Sequence, residues 1–573
     1  MVTNEAAASD DVLWLGLEKA DVSVYEPGLS MWGWGSPDNV ATGAETRLFA
    51  RALVISRGPS GKPLALVSVE LGMVSESVRR AVLCDLVDRG LDIDEHRLAI
   101  TATHTHSGPS GFSTYLFYAL TGPGYSHRVH DAIVKGIVDA VTGAWARLRP
   151  GRAYVHSVDI PLVEPVCFNR SVGAYSRNAD VTPVASDRSD EAVDRTMTVL
   201  RLEDARGRAL GLVSVFGVHG TSVHADNDRL HADNKGIAAL LCERDLDEGD
   251  GFVALFLQGA AGDVTPNYRP CPRRGVTVGR YDHDFESAAH NGEIQARYAM
   301  KAFSEAPRSG TELSVEVEGR TRYSVFHEAD IDSDLVDGVE DPRTGVASLG
   351  LGFCLGTQEG PGPLGKISGF ARTMGTLLGM RAAVTNTVSQ QPHGRKVSFW
   401  ELGPGANNRI GGRTLAADHT VMRFLTGRRL RYYRDAQEYR GVRVLPWVPH
   451  HLPFQILRIG KVALGFVPFE PTTVAGRRIR AVVGSELRAQ GVEQAVVVGY
   501  SNAYASYLTT PEEYDEQGYE GAMTLFGKWS LPAACTELRG VCRALGAPLS
   551  DADVGALPPR VPLEQWLPME STP

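Results

Sequence analysis

Short apolar runs that alternate with longer amphipathic stretches constrain the fold of this 573-residue chain more than any other feature. Runs rich in valine, leucine and isoleucine are typical of strands that are buried on both faces. One such run, 64–69, precedes a predicted helix at 75–89, and the next strand is predicted at 98–102. The alternation indicates an α/β fold with a mixed β-sheet core and flanking helices.

A long helix and several further strands extend this pattern. The apolar residues of 126–148 recur at helical spacing, which predicts an amphipathic helix packed on the sheet. Further strands are predicted at 212–216, 253–257, 456–459, 462–467 and 494–498. Gly460 and Lys461 separate two of these strands and predict a hairpin. The acidic stretch 306–345 has no such pattern and is expected to be a solvated surface insertion.

Composition and charge narrow the class of protein. Hydrophobic residues make up 43% of the chain and charged residues 22%, as in soluble globular domains. The formal net charge of −10 argues against a nucleic-acid-binding surface. The 7 cysteines lack CxxC spacing and fit reduced thiols better than disulfides. Because no signal peptide and no transmembrane segment are recognisable, a cytoplasmic location is expected.

Polar side chains collect just beyond the carboxyl ends of the predicted strands. The strands at 212–216, 253–257, 462–467 and 494–498 are followed by His219, by Asp263 and Thr265, by Glu470, and by Tyr504 and Tyr507, respectively. Open α/β sheets place their sites at this edge. Since independent structural roles for all of these groups would be a coincidence, the sequence predicts a functional site there.

Two histidines, His104 and His106, directly follow the predicted strand 98–102. On an extended strand, side chains two residues apart project to the same side. Neutral imidazole is a common metal ligand and a common general base, so the pair is typical of a zinc site, a proton-transfer site, or both. A histidine pair that is satisfied by hydrogen bonds in an ordinary loop is the alternative.

Separated motifs in a fixed order extend over most of the chain. They are THTHSGP (103–109), NRS (169–171), AY (174–175), His219 with TS (221–222), DNKG (233–236), GDVTPN (262–267), FES (285–287), GTQEGPG (356–362), PFQILRIG (453–460), EPTTVAGRR (470–478), TTPEEY (509–514) and YEGA (519–522). In sequence and order they resemble the neutral, non-lysosomal ceramidases, which are zinc amidohydrolases that cleave the amide of N-acyl sphingoid bases. The resemblance extends to about residue 535.

The resemblance implies a metal site at the carboxyl ends of the strands, where His104, His219, Glu470 and Tyr507 hold Zn2+. Two neutral imidazoles and one carboxylate are a common catalytic zinc set that leaves room for water. Without the resemblance, Glu470 alone would be a surface carboxylate, and Tyr507 would be aromatic packing on a pocket wall.

The same resemblance implies catalytic roles for His106, Arg170, Thr265 and Tyr519. His106 is expected to exchange a proton with the zinc-activated water or with the leaving amine. Arg170 and Tyr519 are expected to hold a substrate oxygen and to stabilise the tetrahedral intermediate. Thr265 stands where the family generally has serine. Threonine suffices if its hydroxyl only donates a hydrogen bond, whereas a nucleophilic role would lower activity.

Other departures from the family pattern lie close to His219. Gly220 replaces the usual proline, and His224 and His231 add two imidazoles. These two are expected to be exposed loop histidines, and the alternative is that one of them is a proton donor. Residues 1–550 are expected to form the catalytic domain and 551–573 a tail, without the C-terminal β-sandwich domain that is typical of these ceramidases.

The predicted function is zinc-dependent hydrolysis of the amide bond of ceramide or a related N-acyl amine. Two alternatives stay open. One is an amidase or amide-forming acyltransferase of specialised metabolism, and the other is a zinc-bearing protein that binds an acyl ligand without turnover. The expected partner is an N-acyl amine or a lipid-like small molecule, and a transient contact with a membrane surface is compatible with it.

Overall fold

The computed structural model describes residues 11–36, 38–119, 125–362, 392–402, 408–410, 413–414, 447–548 and 554–558. Its strands are β1 Leu13–Asp21, β2 Gly43–Ala44, β3 Phe49–Arg57, β4 Leu64–Val69, β5 Leu98–Ala102, β6 Arg149–Asp159, β7 Phe168–Asn169, β8 Thr196–Asp204, β9 Ala209–Phe216, β10 Arg229–Leu230, β11 Val253–Gln258, β12 Val264–Thr265, β13 Arg269–Cys271, β14 Val276–Val278, β15 Thr311–Glu312, β16 Val317–Val325, β17 Ser348–Gly350, β18 Ser398–Leu402, β19 Asn408–Ile410, β20 Arg413–Thr414, β21 His451–Ile459, β22 Val462–Phe466, β23 Glu470–Pro471, β24 Gln494–Val498 and β25 Tyr507–Leu508.

The helices are α1 Glu76–Asp88, α2 Leu116–Ala119, α3 His127–Ala146, α4 Val172–Tyr175, α5 Asp233–Leu246, α6 Asp284–Ser309, α7 Thr473–Leu487, α8 Pro511–Tyr514, α9 Tyr519–Met523 and α10 Ser530–Ala544. Among the helices of the described ranges, none combines the length and the apolar character that crossing a membrane requires.

A large mixed sheet lies at the centre of the described structure. Its strands follow the order β11-β9-β8-β6-β1-β3-β4-β5, with β15 paired to β6. Neighbours β9 and β11 run parallel, as do β4 and β5, whereas β1 and β3 run antiparallel. The strands predicted at 64–69, 98–102, 212–216 and 253–257 all belong to this sheet, so the predicted mixed α/β fold is confirmed.

A second, four-stranded sheet has the order β16-β21-β22-β24. The predicted hairpin joins β21 to β22 in antiparallel pairing, and Gly460 turns the chain at a φ of 54°. Such a positive φ favours glycine, which lacks a Cβ. β24 then adds to β22 in parallel.

The prediction of a solvated insertion at 306–345 is wrong for β16. This strand pairs with β21 along its whole length, and Thr321 and Tyr323 are buried. Its apolar pattern is weak because it buries polar groups that find partners inside the protein. The guanidinium of Arg320, for example, donates to the carbonyl of Ala544 at the end of α10. Buried polar groups of this kind are satisfied only by the tertiary fold.

Helices cover the outer face of each sheet, while the inner faces share one apolar core. α1 and α3, the two helices predicted from the sequence, pack on β3 and β4, and α5 and α6 pack on β8, β9 and β11. α7 and α10 cover the second sheet. Between the sheets, leucines such as Leu66 and Leu200 meet Leu464 and Val496. The two sheets are therefore held together by a continuous hydrophobic core.

The segments that follow β5, β9, β11, β22 and β24 hydrogen-bond to one another at one edge of the structure. Thr101, at the end of β5, pairs with Ser501, Thr105 pairs with Gly220, and Glu470 pairs with Tyr507. After β11, the amide of Gly262 donates to the carbonyl of Pro471. These short pairings hold the loops that carry the predicted site residues against each other.

The predicted tail at 551–573 lies largely outside the described residues. Within it, residues 554–558 are described, and Gly555 and Ala556 lie along Tyr323 of β16.

Candidate metal centre and active site

Three imidazoles converge where β5 and β9 end. The Nε2 atoms of His104 and His106 lie 3.1 Å apart, and those of His104 and His219 lie 3.2 Å apart. All three side chains are buried. The rings meet through a left-handed turn rather than by strand alternation, because β5 ends at Ala102 and His104 has a φ of 69°. Positive φ at a residue other than glycine is uncommon and tends to occur at functional sites.

In His104 and His219, a hydrogen bond made by Nδ1 fixes the orientation of the ring and leaves Nε2 facing the cluster. Nδ1 of His104 donates to the carbonyl of Gly72 at 2.5 Å, and Nδ1 of His219 donates to the carbonyl of Ala261 at 2.6 Å. In the neutral ring, Nε2 then carries a lone pair. Backbone carbonyls commonly orient metal-binding histidines in this way.

These lone pairs face each other in a buried space, which is favourable only around a cation. Burial lowers the pKa of His104 to about 4, so a proton on its ring is disfavoured at neutral pH. The arrangement of His104, His106 and His219 therefore fits a divalent metal ion.

Glu470 adds a carboxylate to the same cluster. Its Oε2 lies 3.2 Å from Nε2 of His219 and 3.5 Å from Nε2 of His104. Tyr504 donates to Oε1, and Tyr500 donates to Oε2 at 3.3 Å. Burial opposes ionisation, yet the facing histidines and hydrogen bonds lower the pKa of Glu470 to about 2. The carboxylate is thus ionised at neutral pH and suited to a metal ion.

Tyr507 and Tyr519 lie on the His219 side of the cluster. The ring of Tyr507 is parallel to that of His219, with centroids 6.5 Å apart. Its hydroxyl accepts a hydrogen bond of 2.9 Å from Nη2 of Arg170. Tyr519 packs edge to face on Tyr507, and the Arg170 guanidinium carbon lies 5.7 Å from the centre of the Tyr519 ring.

Arg170 is a buried cation held between two buried carboxylates. Nη1 donates to Glu359 at 2.8 Å, and Nε donates to Glu520 at 2.9 Å. Nη2 also donates to the carbonyl of Gly262 at 2.7 Å. Both ion pairs lie in a region of low dielectric, where a buried charge must be paired. Arg170 is therefore largely committed to protein partners.

Glu359 is the centre of a second hydrogen-bond network. Besides pairing with Arg170, it accepts from Thr265 Oγ1, from Asn267 Nδ2 at 2.9 Å and from Thr221 Oγ1 at 3.3 Å. The Thr265 hydroxyl in turn accepts a hydrogen bond of 3.0 Å from the backbone amide of Asn267. β12, which carries Thr265, pairs with β7, which ends one residue before Arg170. The geometry gives the Thr265 hydroxyl a defined orientation.

Comparison with known protein families identifies the family to which this chain belongs. The model of the neutral/alkaline non-lysosomal ceramidase N-terminal domain matches residues 13–398 and 439–536. The chain belongs to this family.

Curated relatives and solved structures agree with this ceramidase assignment. The chain is 34% identical to the neutral ceramidase of Pseudomonas aeruginosa over 92% of its own length and 71% of the relative's. It is 32% identical to the neutral ceramidase of Mycobacterium tuberculosis over 93% of its length and 77% of the relative's. A solved ceramidase complexed with C2 superposes with a TM-score of 0.75 at 33% identity, over 93% of this chain and 75% of that one.

The structure of this ceramidase-family chain brings the residues implied by the resemblance into one site. They are His104, His106, Arg170, His219, Thr265, Glu470, Tyr507 and Tyr519. His106 lies as close to His104 as His219 does, so geometry groups it with the residues that could hold a metal. Which of the eight side chains bind the ion, and which act on substrate, stays a prediction.

The expectation that His224 and His231 are exposed is wrong, since both are buried. Nδ1 of His224 donates to Asp284 at 3.0 Å and Nε2 donates to the carbonyl of Thr277 at 2.9 Å. Burial lowers the pKa of His224, but the Asp284 carboxylate outweighs it and raises the value. Nδ1 of His231 accepts from the amide of Asp233. Both rings are thus occupied by structural hydrogen bonds.

Four residues at the site were not predicted from the sequence to have a function. Glu359 and Glu520 lie within the motifs at 356–362 and 519–522, but no local sequence pattern indicates that they pair with Arg170. Trp32 and Trp34 both pack edge to face on His106, with centroids 6.1 and 5.0 Å away, and Gly33 lies between them. The Trp-Gly-Trp run, with its two large side chains around a glycine, is the signal that could have identified this segment.

Proposed function

We propose that this chain is an amidohydrolase that cleaves the amide bond of ceramide or a related N-acyl amine, and that its metal is zinc. The observation that carries the proposal is the buried cluster of imidazole lone pairs facing the ionised Glu470 carboxylate. The names of the relatives, all neutral ceramidases, supply the substrate class. We take residues 1–550 as the catalytic domain.

The proposed ligands are His104, His219, Glu470 and Tyr507, a nitrogen and oxygen set that zinc accepts. When bound, zinc supplies Lewis-acid chemistry that activates water at neutral pH without a strong base. His104 and His219 are oriented for this by their Nδ1 hydrogen bonds, and Tyr507 is oriented by Arg170.

His106 is the proposed proton carrier. Burial lowers the pKa of its ring well below the usual value, so the ring is neutral at neutral pH. Its Nε2 faces the cluster, 3.1 Å from Nε2 of His104, and is proposed to take the proton there. The same nitrogen would then deliver that proton to the amine nitrogen as the carbon–nitrogen bond breaks. Tyr519, which is half-buried, is proposed to hold the substrate carbonyl oxygen and to stabilise the negative charge that develops there.

Thr265 is proposed to act as a hydrogen-bond donor and not as a nucleophile. Its hydroxyl proton is directed to Glu359, and its oxygen accepts from Asn267. A threonine can provide these bonds as well as a serine can. The extra methyl group would then be compatible with turnover by this chain.

The experiment is to measure zinc content and hydrolysis of a fluorogenic ceramide analogue in the wild type, in His104→Ala and in Thr265→Ser. We expect hydrolysis that requires both zinc and His104, with Thr265→Ser within about threefold of the wild type because the hydrogen bond is kept. Stoichiometric zinc without hydrolysis in the wild type or in Thr265→Ser would refute the ceramide assignment. The same protein would then be assayed on short-chain N-acyl amines.

A further inference from the structure

Tyr118 lies next to Tyr504, close to the cluster of proposed metal ligands. It belongs to the short helix α2, and its side chain is buried. Its ring packs edge to face on Tyr504, with centroids 5.0 Å apart, and Tyr504 donates to Glu470. Trp32 packs on the same Tyr504 ring at 5.2 Å. Tyr118 is thus one aromatic ring away from a proposed metal ligand.

The hydroxyl of Tyr118 has no hydrogen-bond partner among the described residues, although it is fully buried. Its neighbours differ in this respect. Tyr500 and Tyr504 donate to Glu470, and Tyr507 accepts from Arg170. An unpaired buried hydroxyl destabilises the free protein, and phenylalanine would fill the same volume without that cost. The hydroxyl therefore points to a partner that arrives with a ligand.

The chemistry of an N-acyl amine restricts what that partner can be. The acyl chain is hydrocarbon and offers no hydrogen bond. The carbonyl oxygen is proposed to bind Tyr519, which packs on Tyr507. The polar group left over is a hydroxyl on the amine half, whose oxygen is three bonds from the amide nitrogen in an N-acyl vicinal amino alcohol. Such a group is the remaining candidate partner for the Tyr118 hydroxyl.

We propose that Tyr118 is a specificity-determining residue whose hydroxyl hydrogen-bonds a hydroxyl on the amine half of the substrate. This inference rests on the proposed function and adds a second recognition point to it. A site that bonds a substrate hydroxyl prefers the hydroxylated compound over the analogue that lacks it, here by the value of one neutral hydrogen bond. A purely apolar wall would not distinguish the two compounds by more than their size.

The test compares Tyr118→Phe with the wild type on a pair of fluorogenic amides, an N-acyl amino alcohol and its deoxy analogue. We expect Tyr118→Phe to lower kcat/KM roughly three- to tenfold on the hydroxylated amide, the range for one neutral hydrogen bond, and to leave the deoxy analogue unchanged. Because no bond is lost in the free protein, its Tm should equal or exceed that of the wild type.

Tyr323→Phe is the matched control, since its hydroxyl is also buried but accepts from Arg79 at 2.7 Å and donates to Glu95 at 3.2 Å. This variant should lower the Tm and keep the wild-type substrate preference. Equal losses on both amides in Tyr118→Phe, no loss on either, or a fall in Tm like that of Tyr323→Phe would overturn the proposal.

The proposed function can fail separately from the proposal on Tyr118. If the wild type hydrolyses neither amide, the hydrolase assignment fails. Binding of the same two compounds, followed by tryptophan fluorescence because Trp32 packs on Tyr504, still decides about Tyr118. A wild-type preference for the hydroxylated compound that disappears in Tyr118→Phe supports the proposal, and an unchanged preference refutes it.

Discussion

Gly33 offers a direct way to displace His106 without changing any polar group of the site. It has a φ of 119°, and a Cβ added there would lie 2.4 Å from Cγ, 2.7 Å from Cδ2 and 2.8 Å from Nδ1 of the His106 ring. Ordinary contacts of a Cβ begin at 3.4 Å. In Gly33→Ala the ring must therefore retreat by about 1 Å, a displacement that can cost on the order of 10²-fold in rate.

Gly28→Ala is the matched control. Gly28 also has a positive φ, of 85°, but a Cβ there would meet nothing within 4 Å. Both substitutions should lower the free energy of unfolding by about 1–3 kcal/mol, the usual cost of a left-handed residue other than glycine. Only Gly33→Ala adds the pressure on His106, so the difference between the variants isolates that effect.

The assay is kcat/KM for the fluorogenic ceramide analogue together with urea unfolding and metal content. We expect Gly33→Ala to lose about 10²-fold in kcat/KM, with Gly28→Ala within about threefold of the wild type and equal metal content in both. If Gly33→Ala stays within threefold of the wild type, or if Gly28→Ala loses as much, the ring is not held by this contact and the reasoning is wrong.

Three further predictions concern the buried charges and the proposed metal. Glu359→Gln leaves Arg170 with one carboxylate, so the free energy of unfolding should fall by about 3 kcal/mol in urea titrations, and a loss under 1 kcal/mol would contradict the pairing. Because the pKa of His224 is raised in the folded state, the stability that its charged ring contributes is complete below the unfolded pKa of about 6.5 and is lost as the pH rises through the folded value. The advantage of the wild type over His224→Gln in urea unfolding should therefore shrink as the pH rises above about 6.5, and a constant difference would refute it. Removal of metal by a chelator should lower the Tm of the wild type but not that of His104→Ala, because a metal that binds only the folded state stabilises it.

The sequence determined several of the strands and two of the helices, α1 and α3, because these follow from local periodicity. The predicted strands 64–69 and 98–102 coincide with β4 and β5, and the predicted helix 126–148 contains α3. The order of the motifs determined the family, and the position of Glu470 after an apolar strand indicated a place in the site. The periodicity signals are local, within a few turns or strands of the chain, whereas the motif order extends over most of its length.

Only the tertiary structure decided which polar groups meet. Arg170 is paired with Glu359 and Glu520, which are 189 and 350 positions away along the chain. The burial of His224, taken from the sequence as exposed, depends on Asp284 and Thr277. A buried charge or hydroxyl is stable only with a partner, and that partner is supplied by distant segments that the packing of two sheets brings together. Local patterns contain no record of such pairings, which is why the sequence indicated candidate ligands but not the network that orients them.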